Sequence, residues 1–332
     1  MLTRRSALAV ACSAALPFPF TAFAQAQKTR RVAMVSNATN AFFESVLEAM
    51  RKQLGELGYV EDQDISYHFR HVSNQLAQHP ELAAELVRSN PDLIVTVGGP
   101  ATAAAAKATS VIPIVFILAA EPVSIGLIAS AQRPGGNLTG VSNFDAEHAP
   151  QQMALLRDVM PQLARVAILG EDGLPGADAS GMIPLERAHF AAARGAGLQP
   201  QLVRIKGPTP DYAAALSAMA KERADVLVAL EVPLVLRDSK VIAERATEQK
   251  LATLFPASLG DAGALFAFGT SVFDNFAHVP PIIDRIFKGT PAGEVPVVFN
   301  TRRMLVANLG TAQRVGVTVP EAVLGRATRV IR

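Results

Sequence analysis

The feature that most constrains the fold is an alternation of short apolar segments and amphipathic segments, which begins near Arg30 and continues through most of the chain. Residues 32–36 form a short apolar run, and apolar residues then recur at helical spacing until Gly58, a residue typical of helix ends. Runs of Val, Ile and Leu are typical of parallel strands that helices cover on both faces. The same rhythm predicts strands at 65–69, 93–97, 114–118, 166–169, 202–205, 226–230 and 251–255, and helices at 80–89, 101–109, 153–160, 212–219 and 239–249.

A glycine- and proline-containing passage over residues 121–142 separates two such series. We therefore expect an α/β fold of two doubly wound parallel-sheet lobes joined by a hinge. The expected lobes are 28–141 with about 268–292, and 142–267 with about 293–332; the sequence leaves the side of the C-terminal tail open. We also expect at least two interlobe strands, near 139–142 and 267–270.

The first 27 residues have the pattern of an export signal. Arg4 and Arg5 form a basic start, residues 7–23 form an apolar run broken by prolines, and Ala22 and Ala24 are small residues suited to a signal peptidase. The pattern predicts cleavage after Ala24 and a mature protein in the periplasm. The two arginines also fit twin-arginine export.

Removal of the signal changes the cysteine content and the net charge of the chain. Cys12 is the only cysteine and lies in the signal, where a lipoprotein role would leave an apolar region of only residues 6–11. Loss of Arg4 and Arg5 lowers the basic count from 31 to 29, equal to the 29 acidic residues. The mature chain is then neutral and lacks thiols, which argues against nucleic-acid or anionic-membrane partners, disulfides and thiolate metal sites. No later stretch has the roughly 20 apolar residues of a membrane span.

The usual catalytic motifs are missing from the sequence. It contains no Gly-x-Ser-x-Gly elbow, no phosphate-cradling loop with Gly-Lys-Ser/Thr and no His-Glu-x-x-His, so we predict a protein without catalytic residues, cofactor or metal. His68, His71 and His79 form the one histidine cluster. We interpret them as solvated edge positions in preference to a metal site.

The segment Gly98-Gly99-Pro100 joins the end of a predicted parallel strand to the start of a helix. Glycines permit close backbone approach, and proline suits the first helical turn. Free amides after Gly98 and Gly99, aided by the helix dipole, can hold a carboxylate or phosphate. A plain βα turn has the same composition, but ligands of open α/β sheets bind at the carboxyl ends of strands.

Other polar groups follow predicted strands at the same edge: Ser36, Asn37 and Thr39 after the first strand, then Glu121, and Glu231 in the second series. A buried carboxylate at either glutamate requires a cationic partner, which an amino-acid-like ligand supplies. Both glutamates are alternatively rim residues that face water. The candidate ligand-binding set also contains Phe42, Asn143, Phe144, Asp172, Ser258 and Phe268.

Three segments resemble a known family: IPIVF at 112–116, EPVSIGLI at 121–128 and RPGGNLTGVS at 133–142. The chain is similar to solute-binding proteins of ABC-type importers, in the branch whose described members bind tryptophan, tyrosine or related compounds. Shorter matches at 54–61, 91–95 and 308–316 extend the resemblance over the mature chain.

The resemblance implies two α/β lobes that close on a small organic solute, and a membrane permease as partner of a monomeric protein. It assigns ligand contacts to Gly98, Gly99 and Pro100, and to Glu121, where the family usually has aspartate. Phe268 stands where the family often has tyrosine, and residues 170–173 replace a loop with aromatic and asparagine residues, so the solute is left open. A ligand-sensing module for a membrane receptor and a secreted enzyme are the alternatives.

Overall fold

A computed structural model describes residues 29–36, 40–71, 76–119, 122–123, 125–142, 146–174 and 176–332, without the side chains of 40–43, 46, 71, 76 and 272. Within these ranges the strands are β1 Arg30–Ser36, β2 Ile65–His71, β3 Leu93–Val97, β4 Ile114–Ile117, β5 Leu138–Ser142, β6 Arg165–Glu171, β7 Gln199–Ile205, β8 Val226–Ala229, β9 Ala252–Phe255, β10 Phe266–Thr270, β11 Val298–Phe299, β12 Arg303–Asn308 and β13 Arg329–Ile331. The helices are α1 Asn40–Glu56, α2 His79–Arg88, α3 Gly99–Ala108, α4 His148–Val159, α5 Pro184–Gly195, α6 Tyr212–Lys221, α7 Pro233–Glu248, α8 Val272–Ala277, α9 Val279–Phe287, α10 Leu309–Val315 and α11 Glu321–Leu324.

The first sheet has the strand order β11-β5-β4-β3-β1-β2, and each neighbouring pair is parallel. Its strands are buried on both faces, because Met34 of β1 packs in a core with Met50 of α1 and Ile283 of α9, whereas Val35 packs in a second core with Leu86 of α2. The predicted α/β architecture, with helices on both faces of a parallel sheet, is confirmed for this lobe.

The second sheet has the order β13-β12-β10-β9-β8-β6-β7, in which β12 runs antiparallel to β10 and the other pairs are parallel. One continuous core joins it to α4, α5, α6, α7 and α10. The two sheets therefore repeat one arrangement, since β2-β1-β3-β4-β5 and β7-β6-β8-β9-β10 are both of the order 2-1-3-4-5. Each has a topological switch point, between β1 and β3 and between β6 and β8, where such sheets bind ligands.

The chain passes between the two sheets three times. The first crossing leads from β5 to α4, the second from β10 to α8, and the third from β11 to β12. Helices α8 and α9 return to the first sheet, where Phe276 and Ile282 join its core. The expected second-lobe range of 293–332 differs at Val298–Phe299, because this short strand pairs with β5 of the first sheet before the chain crosses back.

One helix escaped the sequence prediction, and one strand of the first sheet was expected only as a segment between the lobes. Helix α5 buries Glu186 and His189 alongside Leu185, so polar residues occupy positions where apolar periodicity is expected. Strand β5 lies inside the passage taken as an interruption, and it contains Gly140, where an added Cβ would lie 2.0 Å from the Phe116 carbonyl oxygen. Close packing against β4 explains why a glycine stands in a buried strand.

One predicted helix begins too late. Residues 239–249 form only the second part of α7, which starts at Pro233 and has a non-helical backbone at Asp238, with φ −110° and ψ 17°. The Asp238 carboxylate accepts hydrogen bonds from Tyr212 and Arg237 at this point. The sequence pattern thus detected the helix after its kink and missed the turn before it.

Candidate functional site

The candidate residues lie at the switch points of both sheets. Ser36 ends β1 and pairs in register with Val97 of β3, so Gly98 follows on the neighbouring strand. In the second sheet Leu169 pairs with Ala229, so the residues after them, Glu171 and Glu231, extend from adjacent strands. The carboxyl edges of the two sheets approach each other, because an added Cβ at Gly176, after β6, would lie 3.1 Å from Cγ2 of Ile125, after β4.

Part of the predicted set lies outside the described residues. It comprises Asn37, Thr39, Glu121, Asn143 and Phe144, together with the side chain of Phe42. Their assignment stays a prediction from the sequence.

Gly98 joins β3 to α3 in a conformation that only glycine adopts without strain, with φ 90° and ψ 152°. Its amide donates to the Ile117 carbonyl at 2.8 Å, and its carbonyl accepts from the amide of Thr102 at 3.1 Å and from the hydroxyl of Thr102 at 2.9 Å. The residue after Gly99 is Pro100, whose backbone nitrogen carries no hydrogen to donate.

The anion site was expected at the amides after Gly98 and Gly99. The second of these is not available, because the residue after Gly99 is a proline. The first-turn donors of α3 are the amides of Gly99 and Ala101, and neither donates to another group in the part of the chain that the structure describes. Gly99 is half-exposed and lies at the positive end of a ten-residue helix. This end of α3 suits a carboxylate.

Glu231 follows β8 at the second switch point and is half-buried. The Ser258 hydroxyl donates to its Oε1 at 3.0 Å from the short 3-10 helix after β9. The structure thus brings two predicted residues, Glu231 and Ser258, into direct contact. The serine hydroxyl is a neutral donor, so this bond positions the carboxylate without adding a positive charge.

Asp172 and Phe268 have different surroundings. Asp172 is exposed directly after β6, and its amide donates to the Ile205 carbonyl at 2.9 Å. Phe268 pairs with Leu305 within the second sheet, and its partly buried ring packs against the second-lobe core. Packing in a lobe core, and not a missing hydroxyl alone, thus sets the environment of Phe268.

Glu171 is a buried acid at this edge that the sequence reasoning passed over in favour of Asp172. It is 5% exposed, and its Oε2 accepts from the Leu234 amide at 2.8 Å. Val232 at the N-cap of α7 has no polar side chain and Pro233 has no N–H, so Glu171 caps this helix from the neighbouring strand. Burial raises the pKa of Glu171 to about 7, although the Leu234 amide and Arg237 oppose the shift. In the sequence, Glu171 can be found as an acidic residue at the end of a predicted strand beside the switch point.

The loop after β6 is anchored by ion pairs beneath it. Arg204 of β7 donates from Nε to Oε1 and from Nη2 to Oε2 of Glu186, both at 2.8 Å, and Glu186 is 1% exposed. The same Nη2 reaches the Gly181 carbonyl. Asp178 accepts from Arg187 at 2.7 Å and from the Ser180 amide at 2.8 Å, and these bonds lower the pKa of Asp178. These bonds therefore anchor the loop whose Gly176 lies beside Ile125 of the first lobe.

The histidines differ from expectation. His68 is exposed on the edge strand β2, as expected, and the His71 side chain lies outside the described set. His79, in contrast, is buried at the start of α2, so its prediction as a solvated residue is wrong. Its position on the inner face of α2 explains the burial. Among the described residues no group of three or more His, Cys, Asp or Glu side chains is arranged for a metal ion.

His148 and His189 form a pair beside the second crossing. Gln152 of α4 donates to the Phe268 carbonyl at 3.3 Å, and its Nε2 and Oε1 lie 3.2 and 2.9 Å from the Nε2 atoms of His148 and His189. Burial lowers the pKa of His148 to about 3, aided by His189 and Arg303, and burial lowers that of His189 to about 4. An added Cβ at Gly269 would lie 2.8 Å from His148 Cε1, so the pair packs directly against the crossing strand.

The fold defines a class: two-lobed α/β proteins, whose parallel sheets bind ligands at the carboxyl ends of their strands. The sequence profile described as ABC transporter substrate binding protein matches residues 34–331, and the chain belongs to this family. The predicted resemblance is confirmed. Family membership implies a small-molecule ligand and an ABC permease as partner.

Individual relatives agree with this assignment. A tyrosine-binding protein of Clostridioides difficile (strain R20291) is 28% identical over 118 residues, which are 36% of this chain and 34% of that protein. The chain thus matches about a third of the length of this curated relative.

Two solved structures cover more of the chain. A conserved domain protein from Vibrio cholerae O1 biovar eltor has a TM-score of 0.81 at 24% identity, covering 91% of this chain and 100% of that one. An ABC domain from Streptococcus pneumonia in complex with L-Trp has a TM-score of 0.80 at 21% identity with the same coverage. The fold is that of the type 1-like periplasmic binding proteins. No described helix has the length and hydropathy needed to cross a bilayer.

Proposed function

We propose that the protein is the solute-binding component of an ABC-type importer, which is exported to the periplasm, cleaved after Ala24, and captures one amino acid between its lobes. The lobes are those expected from the sequence, 28–141 with about 268–292 and 142–267 with about 293–332, except that β11 belongs to the first. The protein delivers its solute to the permease as a monomer, without nucleic acid, cofactor or membrane insertion.

The observation that carries the proposal is the different chemistry of the two switch points. In the first lobe the free amides of Gly99 and Ala101 start helix α3 and suit a carboxylate. In the second lobe Asp172 and Glu231 offer carboxylates that suit an ammonium group. A solute with both charges matches the two edges at once.

Glu121 of the first lobe, at the position that the family resemblance assigns to the ligand, is expected to contact the ammonium group together with the second-lobe carboxylates. We expect Glu121→Gln to weaken amino-acid binding by about 1.5–3 kcal/mol, the range for a charge-assisted hydrogen bond, while the melting temperature stays unchanged. An unchanged affinity, together with loss of binding in Glu231→Gln, would show that the second lobe holds the ammonium group.

The solute class is tested by a thermal-shift screen of the twenty L-amino acids against a matched panel of neutral sugars. A solute that binds only the folded state raises the melting temperature, and the rise grows with the ratio of its concentration to its Kd. Stabilisation by one or a few amino acids and by no sugar is the expected pattern. A response to sugars alone would reject the amino-acid assignment.

Capture without conversion and lobe closure are separable claims. Prolonged incubation with the stabilising amino acid is expected to return it unaltered on chromatography, whereas steady conversion would make the protein an enzyme. Because a solute held by both lobes favours the closed arrangement, small-angle scattering is expected to show a smaller radius of gyration on saturation. An equal radius would exclude closure about the expected hinge at 139–142 and 267–270.

A further inference from the structure

Asn300 lies in the third crossing, between β11 and β12, and is 4% exposed. Its amide donates to the carbonyl of Ser142, the last residue of β5 before the first crossing, at 3.1 Å. Its side-chain Nδ2 donates to Oδ1 of Asn275 at 2.8 Å, on α8 directly after the second crossing. One residue thus connects all three crossings.

The acceptor atoms of Asn300 are also engaged. Its Oδ1 accepts from the Arg302 amide at 3.1 Å, and its carbonyl accepts from Arg303 Nη1 at 3.4 Å. Arg303 in turn donates to Oε1 of Gln151 on α4, just past the first crossing, at 3.2 Å. The hydrogen bonds of Asn300 therefore reach residues on both sides of the hinge.

Asn275 depends on this contact. It is 0% exposed, and its Nδ2 has no hydrogen-bond partner among the described residues. A buried amide donor without a partner is costly, and among the described residues only Asn300 donates to the Asn275 side-chain oxygen. If Asn300 loses its side chain, both polar atoms of Asn275 are buried without partners, which favours any lobe orientation that supplies one.

We infer that Asn300 is a positioning residue of the hinge: it fixes the relative orientation of the three crossings and thereby sets solute affinity without touching the solute. The first half of this inference, the effect on lobe orientation, concerns the ligand-free protein. The second half, the effect on solute affinity, rests on the proposed function. A change in the population of the binding-competent orientation alters apparent affinity by the same factor.

Distances between the lobes test the first half directly. The mature chain lacks cysteine, so Lys107→Cys on α3 and Lys221→Cys on α6 provide two exposed spin-label sites, one in each lobe. Asn300→Ala is expected to broaden or shift the distance distribution of the ligand-free protein measured by electron paramagnetic resonance. The control is Thr301→Ala, since Thr301 is the exposed next residue in the same crossing, and its distribution is expected to match the parent.

Asn300→Asp distinguishes positioning from general destabilisation. Its carboxylate still accepts from the Arg302 amide, and the Asn275 amide can turn to donate its free Nδ2 to it, so a distribution close to the parent is expected. Asn275→Ala breaks the same bond from the other side and is expected to behave like Asn300→Ala, which covers the case that the latter does not fold. A parent-like distribution in folded Asn300→Ala or Asn275→Ala, or equal broadening in Thr301→Ala, would overturn the inference.

Titration with L-tryptophan and L-tyrosine tests the second half. Asn300→Ala is expected to change the affinity of whichever amino acid binds the parent by about 5-fold or more, and Asn300→Asp by less. An unchanged affinity beside an altered distance distribution would contradict the link to binding. If neither amino acid binds the parent, the titration uses the amino acid that the thermal-shift screen identifies; the proposed solute class fails if there is none, while the distance measurement still decides the role of Asn300.

Discussion

The first lobe presents backbone groups at its switch point, whereas the second presents side chains. Gly98 and Gly99 bring the first turn of α3 to the edge, where Gly99 is half-exposed. At the equivalent edge of the second sheet stand Glu171, Asp172 and Glu231. Two sheets of the same strand order therefore carry opposite electrostatic preferences, which shows that the shared topology provides the place and the local residues provide the chemistry.

The second edge also has support that the first lacks in the described residues: the loop after β6 rests on buried Glu186, which pairs with the exposed Arg204. Arg204→Leu leaves Glu186 buried without its cation, so we expect the free energy of unfolding to fall by about 3–5 kcal/mol in chemical denaturation. The matched change Arg187→Leu removes an exposed pair with Asp178 and is expected to cost about 0–1 kcal/mol. Equal effects of the two substitutions would show that the loop is not specially anchored.

Removing the charge at Glu231 tests the acidic character of the second edge. Glu231→Gln keeps an acceptor for Ser258 and removes only the charge, so we expect amino-acid affinity to fall by about 1.5–3 kcal/mol, or roughly 10- to 150-fold, in calorimetric titration. Glu222→Gln makes the same change at an exposed residue that follows α6, at the amino end of β8, and is expected to leave affinity unchanged. If both variants bind like the parent, Glu231 is a structural residue.

The backbone character of the first edge is tested by two adjacent glycines. Gly98→Ala places a side chain at φ 90° and ψ 152° and is expected to lower the free energy of unfolding by about 1–3 kcal/mol. Gly99→Ala lies in the first turn of α3, where an added Cβ meets nothing within 4 Å, and is expected to be nearly neutral. The reverse order in denaturation would mean that the conformation of Gly98 is not required.

The smallest expected effect is a pH dependence from Glu171. Burial raises its pKa from the usual 4.5 to about 7, so the folded state holds the proton more tightly than the unfolded state. This contribution to stability is complete below about pH 4.5 and is lost as pH rises through about 7. Between pH 5 and 8 the parent is expected to lose roughly 1–2 kcal/mol relative to Glu171→Gln.

The adjacent exposed residue supplies the control for this titration, and His148 supplies the opposite slope. Asp172→Asn changes the neighbouring exposed residue and leaves Glu171 in place, and parallel stability curves for the parent and Glu171→Gln would exclude a titrating Glu171. Because burial lowers the pKa of His148 from 6.5 to about 3, its contribution is present above pH 6.5 and is lost as pH falls toward 3. His148→Gln is therefore expected to flatten the loss of stability on acidification.

Periodicity and turn residues were sufficient to predict the α/β lobes and the placement of Gly98 between a strand and a helix, because both are local consequences of the sequence. Helix α5 was missed because it buries Glu186 and His189, whose partners Arg204 and Gln152 lie on other elements. The role of Asn300 was equally hidden, since Ser142 and Asn275 approach it only after the chain has crossed between the lobes three times. Buried polar pairs between distant segments leave no pattern in a single sequence.

The central claim is that one amino acid is held at both charges by opposite lobes. Isothermal titration with the tightest-binding amino acid, its decarboxylated amine and its deaminated acid tests both contacts in one experiment. We expect one amino acid per chain, and affinities at least about tenfold weaker for each analogue, because each loses one charge-assisted interaction. An analogue that binds as tightly as the amino acid would contradict the pairing of a backbone anion site with a carboxylate cation site.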